Sequence, residues 1–285
     1  MGFGAKIAGG CNIGALFSSL PQFNLSGWIF LLFVFLGATA GGRLLRNFFE
    51  PPVSNKRPNR KRLTPEQRKQ RRIIQIVLGV VLTLVVVIVS FVVAPSYPKA
   101  PGIIFVGIGL GYVMQRSRFC FTAAYRDPGL TGETKLTRAV IVALALSTIL
   151  FFGIQASKYG IDLANLQSTP GGTVNLSLVI GSFVFGIGAV LAGGCASGTF
   201  VRMGEGYLQN YIAFVFFACG TALGEVFNIA TKGTFVKAGS PIYLPQLFGG
   251  MMPALFIQLL VLLALWVLAY WWEQRKIAQR NAQSN

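Results

Sequence analysis

Apolar residues along this 285-residue chain come in long runs separated by short polar stretches. Five runs are long enough to cross a bilayer as helices, which takes roughly 20 residues: Gly27–Phe49, Ile73–Ala94, Arg138–Ser157, Asn210–Ala230 and Leu247–Tyr270. The run from Ile73, IIQIVLGVVLTLVVVIVSFVVA, would measure about 33 Å as a helix. Two further runs, Gly102–Gln115 and Ser177–Gly194, are short or broken, and an apolar fragment, Gly2–Gly10, stands at the start. The pattern predicts an all-α polytopic membrane protein.

Composition agrees. Hydrophobic residues make up 53% of the chain and charged residues 12%, about half the charged share of a soluble domain. The first twenty residues hold one lysine, many glycines and no small-residue cleavage site, so no signal peptide is expected. There is no histidine, and the four cysteines, Cys11, Cys120, Cys195 and Cys219, form no CxxC pair. Neither a zinc site nor a disulfide framework is expected, and the thiols read as free. No GxxxxGK[ST] motif is present, so neither ATP hydrolysis nor any cofactor is predicted.

The net charge of +17 changes the picture through its placement. NKRPNRKRLTPEQRKQRR, residues 55–72, carries nine basic residues against Glu66 alone. A basic segment between two apolar runs is what the positive-inside rule asks of a cytoplasmic loop. Nucleic acid is the lesser alternative, and contact with anionic lipid suits either. With this linker inside, the later cytoplasmic segments should be Arg-rich. Residues 116–137 contain Arg116, Arg118, Arg126 and Lys135, and the tail contains Arg275, Lys276 and Arg280. The opposite loops, 95–101, 158–176 and 231–246, contain no Arg. The expected organisation is therefore 1–49 as the end of a first repeat, 50–72 as a basic cytoplasmic linker, 73–272 as the remaining spans with a second repeat, and 273–285 as a cytoplasmic tail.

The repeat shows when the chain is shifted by 184 positions. Gly2 of GFGAKIAGGCNIGALF then meets Gly186, the second residue of FGIGAVLAGGCASGTF. Gly9, Gly10, Cys11 and Gly14 fall on Gly193, Gly194, Cys195 and Gly198, and an apolar helix follows each copy, starting near Trp28 and Ile212. By the loop charges, those two helices run in opposite directions, so the copies are inverted. Inverted repeats with broken or re-entrant helices are a common plan of membrane transporters. Close packing of small residues would explain the glycines alone, but it does not require a cysteine at the same place twice.

A third cysteine lies in QRSRFCFTAAYRD, residues 115–127, after the short run 102–115. A helix that stops partway and then turns or re-enters fits this segment. Arg116, Arg118 and Arg126 are candidates for anion attraction near Cys120, with interfacial anchoring as the alternative for at least one. Asp127 is placed to neutralise Arg126. Lys6 is a charge inside an apolar fragment, a candidate of the same kind, unless it reaches the water boundary. Cys219, in FVFFACGTALGE, reads as a buried structural thiol.

GFGAKIAGGCNIGALFSSLPQF, RSRFCFTAAYRD and LAGGCASGTFVRMGEG resemble the YeeE/YedE family, the sulphur-transport domain family that includes thiosulfate transporters, and most closely its YedE branch, which is associated with selenium metabolism. The resemblance implies a pseudo-symmetric bundle in a bacterial inner membrane, with Cys11, Cys120 and Cys195 lining a conduit for a small sulfur-containing anion such as thiosulfate. It also implies a small TusA-like sulfur-carrier protein as cytoplasmic partner. The chemistry fits such an implication. A neutral thiol can donate a weak S–H bond to a soft sulfur, and weak serial sites favour passage over trapping.

Transport of a selenium compound is a close variant. A membrane sulfurtransferase holding a persulfide on Cys120 and a non-transporting scaffold are the other readings. The enzyme reading is weakened by the lack of a base or orienting partner beside the thiol. The repeat offset puts the counterpart of RSRFCFTAAYRD before Met1. On that count further hydrophobic segments are expected upstream or on another chain, and Gly2–Gly10 should lack a helix to close around it.

Overall fold

The computed structural model describes residues 1–49, 100–117, 119–159, 172–231 and 239–284, with scattered positions between 66 and 88. Among these the chain is helical, with one isolated β-bridge between Asn24 and Tyr243. The helices are α1 (Gly2–Ile7), α2 (Leu25–Leu44), α3 (Ala100–Ser117), α4 (Phe121–Leu130), α5 (Lys135–Tyr159), α6 (Leu176–Leu191), α7 (Ala196–Gly204), α8 (Leu208–Ala230), α9 (Leu244–Leu247) and α10 (Met251–Ser284). π-helical turns follow α1 at Asn12–Phe17 and α2 at Leu45–Phe49. Five stretches are long and apolar enough to cross a membrane: Leu25–Phe48, Lys135–Ser157, Leu176–Gly204, Leu208–Ala230 and Met251–Gln279. Helices are the form an open chain takes in hydrocarbon, because each satisfies its own backbone.

The chain divides into two units, Pro51–Phe119 and the rest. In the first of these, α3 is an 18-residue helix with Arg116 in its last turn. Most of the basic linker and of the run Ile73–Ala94 lies outside the described residues, as does Arg118.

The second unit is built on close helix crossings made by glycines. On α2, a Cβ at Gly41 would lie 3.0 Å from Ile187 Cα, and one at Gly37 would strike the Phe183 carbonyl. Residues advance together along α2 and α6, so the two run parallel. On α1, Gly4 meets Phe185 and Gly181, Gly181 meets Ala8, and Gly188 meets Met1. Residues advance in opposite senses, so α1 and α6 run antiparallel. Gly2 meets Phe217 and Thr221 while Gly224 meets Phe3 and Lys6, which makes α1 and α8 parallel. It follows that α1 opposes α6 and α2 opposes α8.

The crossings are images of each other. A Cβ on Gly186 would approach the Val34 carbonyl and the Ala38 N–H, and one on Gly2 would approach the Phe217 carbonyl and the Thr221 N–H. Gly41 against Ile187 and Val190 repeats as Gly224 against Phe3 and Lys6. The glycines of α1 and α6 are 184 residues apart, whereas those of α2 and α8 are 183 apart, because the second connecting loop is one residue shorter.

α1 differs from expectation. Gly2, Gly4, Ala5 and Ile7 are buried, since the small residues let this short helix wedge between α6 and α8. Its backbone is covered within the described chain.

Two polar ties hold the outer helices. The Gln258 amide on α10 donates to the Leu20 carbonyl at 2.9 Å and to Thr148 at 3.0 Å. Farther along, Glu273 accepts from Arg138 at 2.7 Å and from Thr134 at 2.8 Å. The Arg138 guanidinium also lies over the rings of Trp266 and Tyr270. A buried carboxylate needs such partners, and these two pin α10 to α5. α10 starts four residues later than the apolar run predicts and continues through the polar tail to Ser284.

Candidate functional site

The two GGC segments fold into the same turn. Each preceding helix ends with an alanine, Ala8 or Ala192, followed by a glycine with positive φ, Gly9 at 77° and Gly193 at 74°. That left-handed position costs any side chain energy, and glycine is its natural occupant. Gly10 N–H donates back to the Ala5 carbonyl at 2.9 Å, and Gly194 N–H to the Ala189 carbonyl at 3.0 Å. The next residue is the cysteine, extended in both copies, with φ −98° at Cys11 and −75° at Cys195. Cys120 takes the corresponding place before α4, with φ −141°. Thus each of the three cysteines is the last residue before a short helical segment begins.

The structure brings two of the three together. A Cβ on Gly198 would lie 3.4 Å from Cys120 Sγ and 3.8 Å from Cys195 Sγ, so both sulfurs border one point that only a hydrogen occupies. Cys195 is buried, at 1% exposure, and its sulfur is 3.2 Å from the Ser197 hydroxyl. Cys120 is half-buried. Cys11 is half-buried too, but it leaves α1 opposite Gly181, while Cys195 follows the other end of α6. The two turns are on the order of 15 Å apart along the α6 axis. A ring contact between Phe17 and Phe121, centroids 5.2 Å apart, joins the π-helical turn after Cys11 to the start of α4.

The motif glycines have unequal surroundings. Gly10 and Gly194 back the turns, Gly198 separates the sulfurs, and Gly14, its repeat partner, has nothing within 4 Å of its Cβ position.

The candidate cations are largely engaged. Arg126 pairs with Asp127 at 2.9 Å, as their adjacency suggests, and Lys6 pairs with Glu225 at 2.9 Å. Arg116 is exposed on α3. Arg202, which the sequence reading passed over, donates to the Gly193 carbonyl and so braces the turn that presents Cys195.

Cys219 is exposed, which corrects the expectation of a buried thiol. α8 meets α1 and α7 on one side, and Cys219 stands on its other face. Apolar composition alone does not tell a core-facing position from a lipid-facing one.

A further group was legible only in part. Thr122, Tyr125 and Thr199 are buried, at 2%, 4% and 1% exposure, and their hydroxyls have no hydrogen-bond partner among the described residues. The Asn12 side chain, beside Cys11, is in the same condition at 2% exposure. All four stand within five residues of a motif cysteine. Burial without a partner is the added fact, and the sequence does not reveal it.

Opposed helix pairs, broken segments and cysteines at the breaks define a multi-pass membrane protein with a sulfur-bearing interior. Residues 1–40 and 116–285 match the family described as Sulphur transport, and the chain belongs to that family, YeeE/YedE. It is 31% identical over 280 residues to "Probable transporter YedE" of Escherichia coli K12 and 30% identical over 276 residues to the protein of that name in Salmonella typhimurium. Each alignment covers 96% of this chain and 66% of the relative. It is 41% identical to "Thiosulfate transporter TsuA" of Spirochaeta thermophila over 115 residues, covering 40% of this chain and 33% of that protein. No solved structure matches.

Proposed function

We propose that this chain imports thiosulfate, or an anion of closely similar chemistry, across a bacterial inner membrane by relay along Cys11, Cys120 and Cys195. The convergence of the Cys120 and Cys195 thiols on Gly198 carries the reading. A two-headed donor of this kind can take the terminal sulfur of an anion from one thiol and offer it to the next without a bond strong enough to trap it. The helix starts behind the cysteines add partial positive charge from backbone N–H groups. The opposed pairs α1/α2 and α6/α8 support a two-sided path, as inverted repeats do in transporters. A TusA-like sulfur carrier fits as the acceptor on the cytoplasmic side.

Cells lacking other importers and expressing the chain should accumulate labelled thiosulfate, with selenite and selenosulfate as the comparison substrates. Preferential uptake of a selenium compound would replace the sulfur substrate while keeping the path. Uptake of none of the three would sink the transport reading.

The orientation rests on the basic linker and the Arg-rich segments. Topology reporters within 55–70 and after Arg275 should both report the cytoplasm, and one within 158–176 the outside. A linker reporter on the outer side would reverse the direction of every span.

A further inference from the structure

Thr122, Tyr125 and Thr199 lie on the two short helices that begin at Cys120 and Cys195. Thr199 follows Gly198, on which the two sulfurs converge. Tyr125 is buried on α4, the helix that Cys120 caps. Thr122 stands three residues before Tyr125 on α4, on the same helix face, and two residues after Cys120. All three hydroxyls are unpartnered and more than nine-tenths buried. A buried hydroxyl without a partner weakens a fold, and three of them on the helices that begin at the two thiols call for a ligand. The nearby cations do not answer: Arg126 holds Asp127 and Arg202 holds the Gly193 carbonyl.

We propose that Thr122, Tyr125 and Thr199 form an oxyanion subsite next to Cys120 and Cys195, binding the oxygens of a substrate whose terminal sulfur faces the thiols. The inference rests on the transport reading and deepens it, because it says how such an anion is told apart at both ends. Hydroxyl donors suit hard sulfonyl oxygens, and S–H donors suit a soft sulfur. Sulfide offers no oxygens, and sulfate offers no soft sulfur, so neither satisfies the whole site. Because the donors are neutral, the anion is held by hydrogen bonds rather than by a full opposite charge, which favours release.

The test is Tyr125→Phe and Thr199→Val in the full chain, each measured for thiosulfate uptake kinetics and thermal unfolding without substrate. Each variant should raise the KM for thiosulfate about tenfold or more, the usual worth of one hydrogen bond to a charged group. The melting temperature should stay level or rise, because an unsatisfied buried hydroxyl has been removed. A KM within twofold of wild type in both variants would overturn the subsite. So would a drop in melting temperature for Tyr125→Phe, since the hydroxyl would then be bonded within the protein. If wild type itself takes up no thiosulfate, the transport reading falls and the subsite with it, an outcome distinct from failure in the variants alone.

Discussion

Cys195→Ala and Cys120→Ala should each cut the proposed thiosulfate uptake by about ten- to a hundredfold, with the protein present in the membrane at the wild-type level. On the proposed path, each substitution removes one S–H donor from the point where the two sulfurs converge. A hydrogen bond to a charged partner is worth about 1.5–3 kcal/mol there, and a serial path has no detour around a lost site. Cys11→Ala, at the far end of the helix pair, should behave alike. Cys219→Ala provides the contrast. Its side chain is exposed on α8, and surface changes of this kind lie within about 0.5 kcal/mol, so uptake and melting temperature should not move. Uptake near wild type for Cys120→Ala or Cys195→Ala, at equal expression, removes the relay. A loss with Cys219→Ala that exceeds theirs removes the assignment of the path.

Gly186→Leu should leave little folded protein. A Cβ there would stand 2.5 Å from the Val34 carbonyl oxygen and 2.9 Å from the Ala38 nitrogen. Both are backbone atoms of α2, so no rotamer change relieves the clash, and the helices must separate. Overpacking of this kind costs typically 1–3 kcal/mol, and more where the backbone has to move. The helix crossing also lacks the hydrophobic drive that would press it back together in lipid. Gly37→Leu tests the same seam from the other side, through the Phe183 carbonyl. Gly14→Ala is the control, because its Cβ would meet nothing within 4 Å. Monodisperse yield and melting temperature after detergent extraction decide the matter. Wild-type values for Gly186→Leu would mean that α2 and α6 do not cross as described.

Much of this arrangement could be read from the residues. The paired GGC segments announce their turns because Gly9 and Gly193 hold a backbone angle that few other residues tolerate. The runs at Gly27, Arg138 and Asn210 declare their helices by length and apolarity alone. Other features depend on what lies against what. Whether Cys219 faces lipid or protein is decided by where α1 docks on α8. Past Tyr270, α10 carries Glu273, which Arg138 reaches across from α5 to meet. The meeting of Cys120 with Cys195 joins segments 75 residues apart in sequence, and no spacing rule connects them. The run Ile73–Ala94 falls largely outside the described residues.

The pair Lys6–Glu225 marks a place where the two copies differ. By the 183-residue register of α2 and α8, the position of Glu225 corresponds to Gly42. Leu130 of α4 lies over Gly42, 3.3 Å from where its Cβ would be, so a larger side chain would have to displace it. The Glu225 side chain is 46% exposed and meets Lys6 at 2.9 Å. Lys6 in turn occupies the place of Val190 in the other copy. Equivalent positions in the two copies thus hold glycine and valine on one side and an ion pair on the other. The packing around equivalent positions therefore differs between the copies: a side chain overlies Gly42, and an ion pair fills the place of its counterpart.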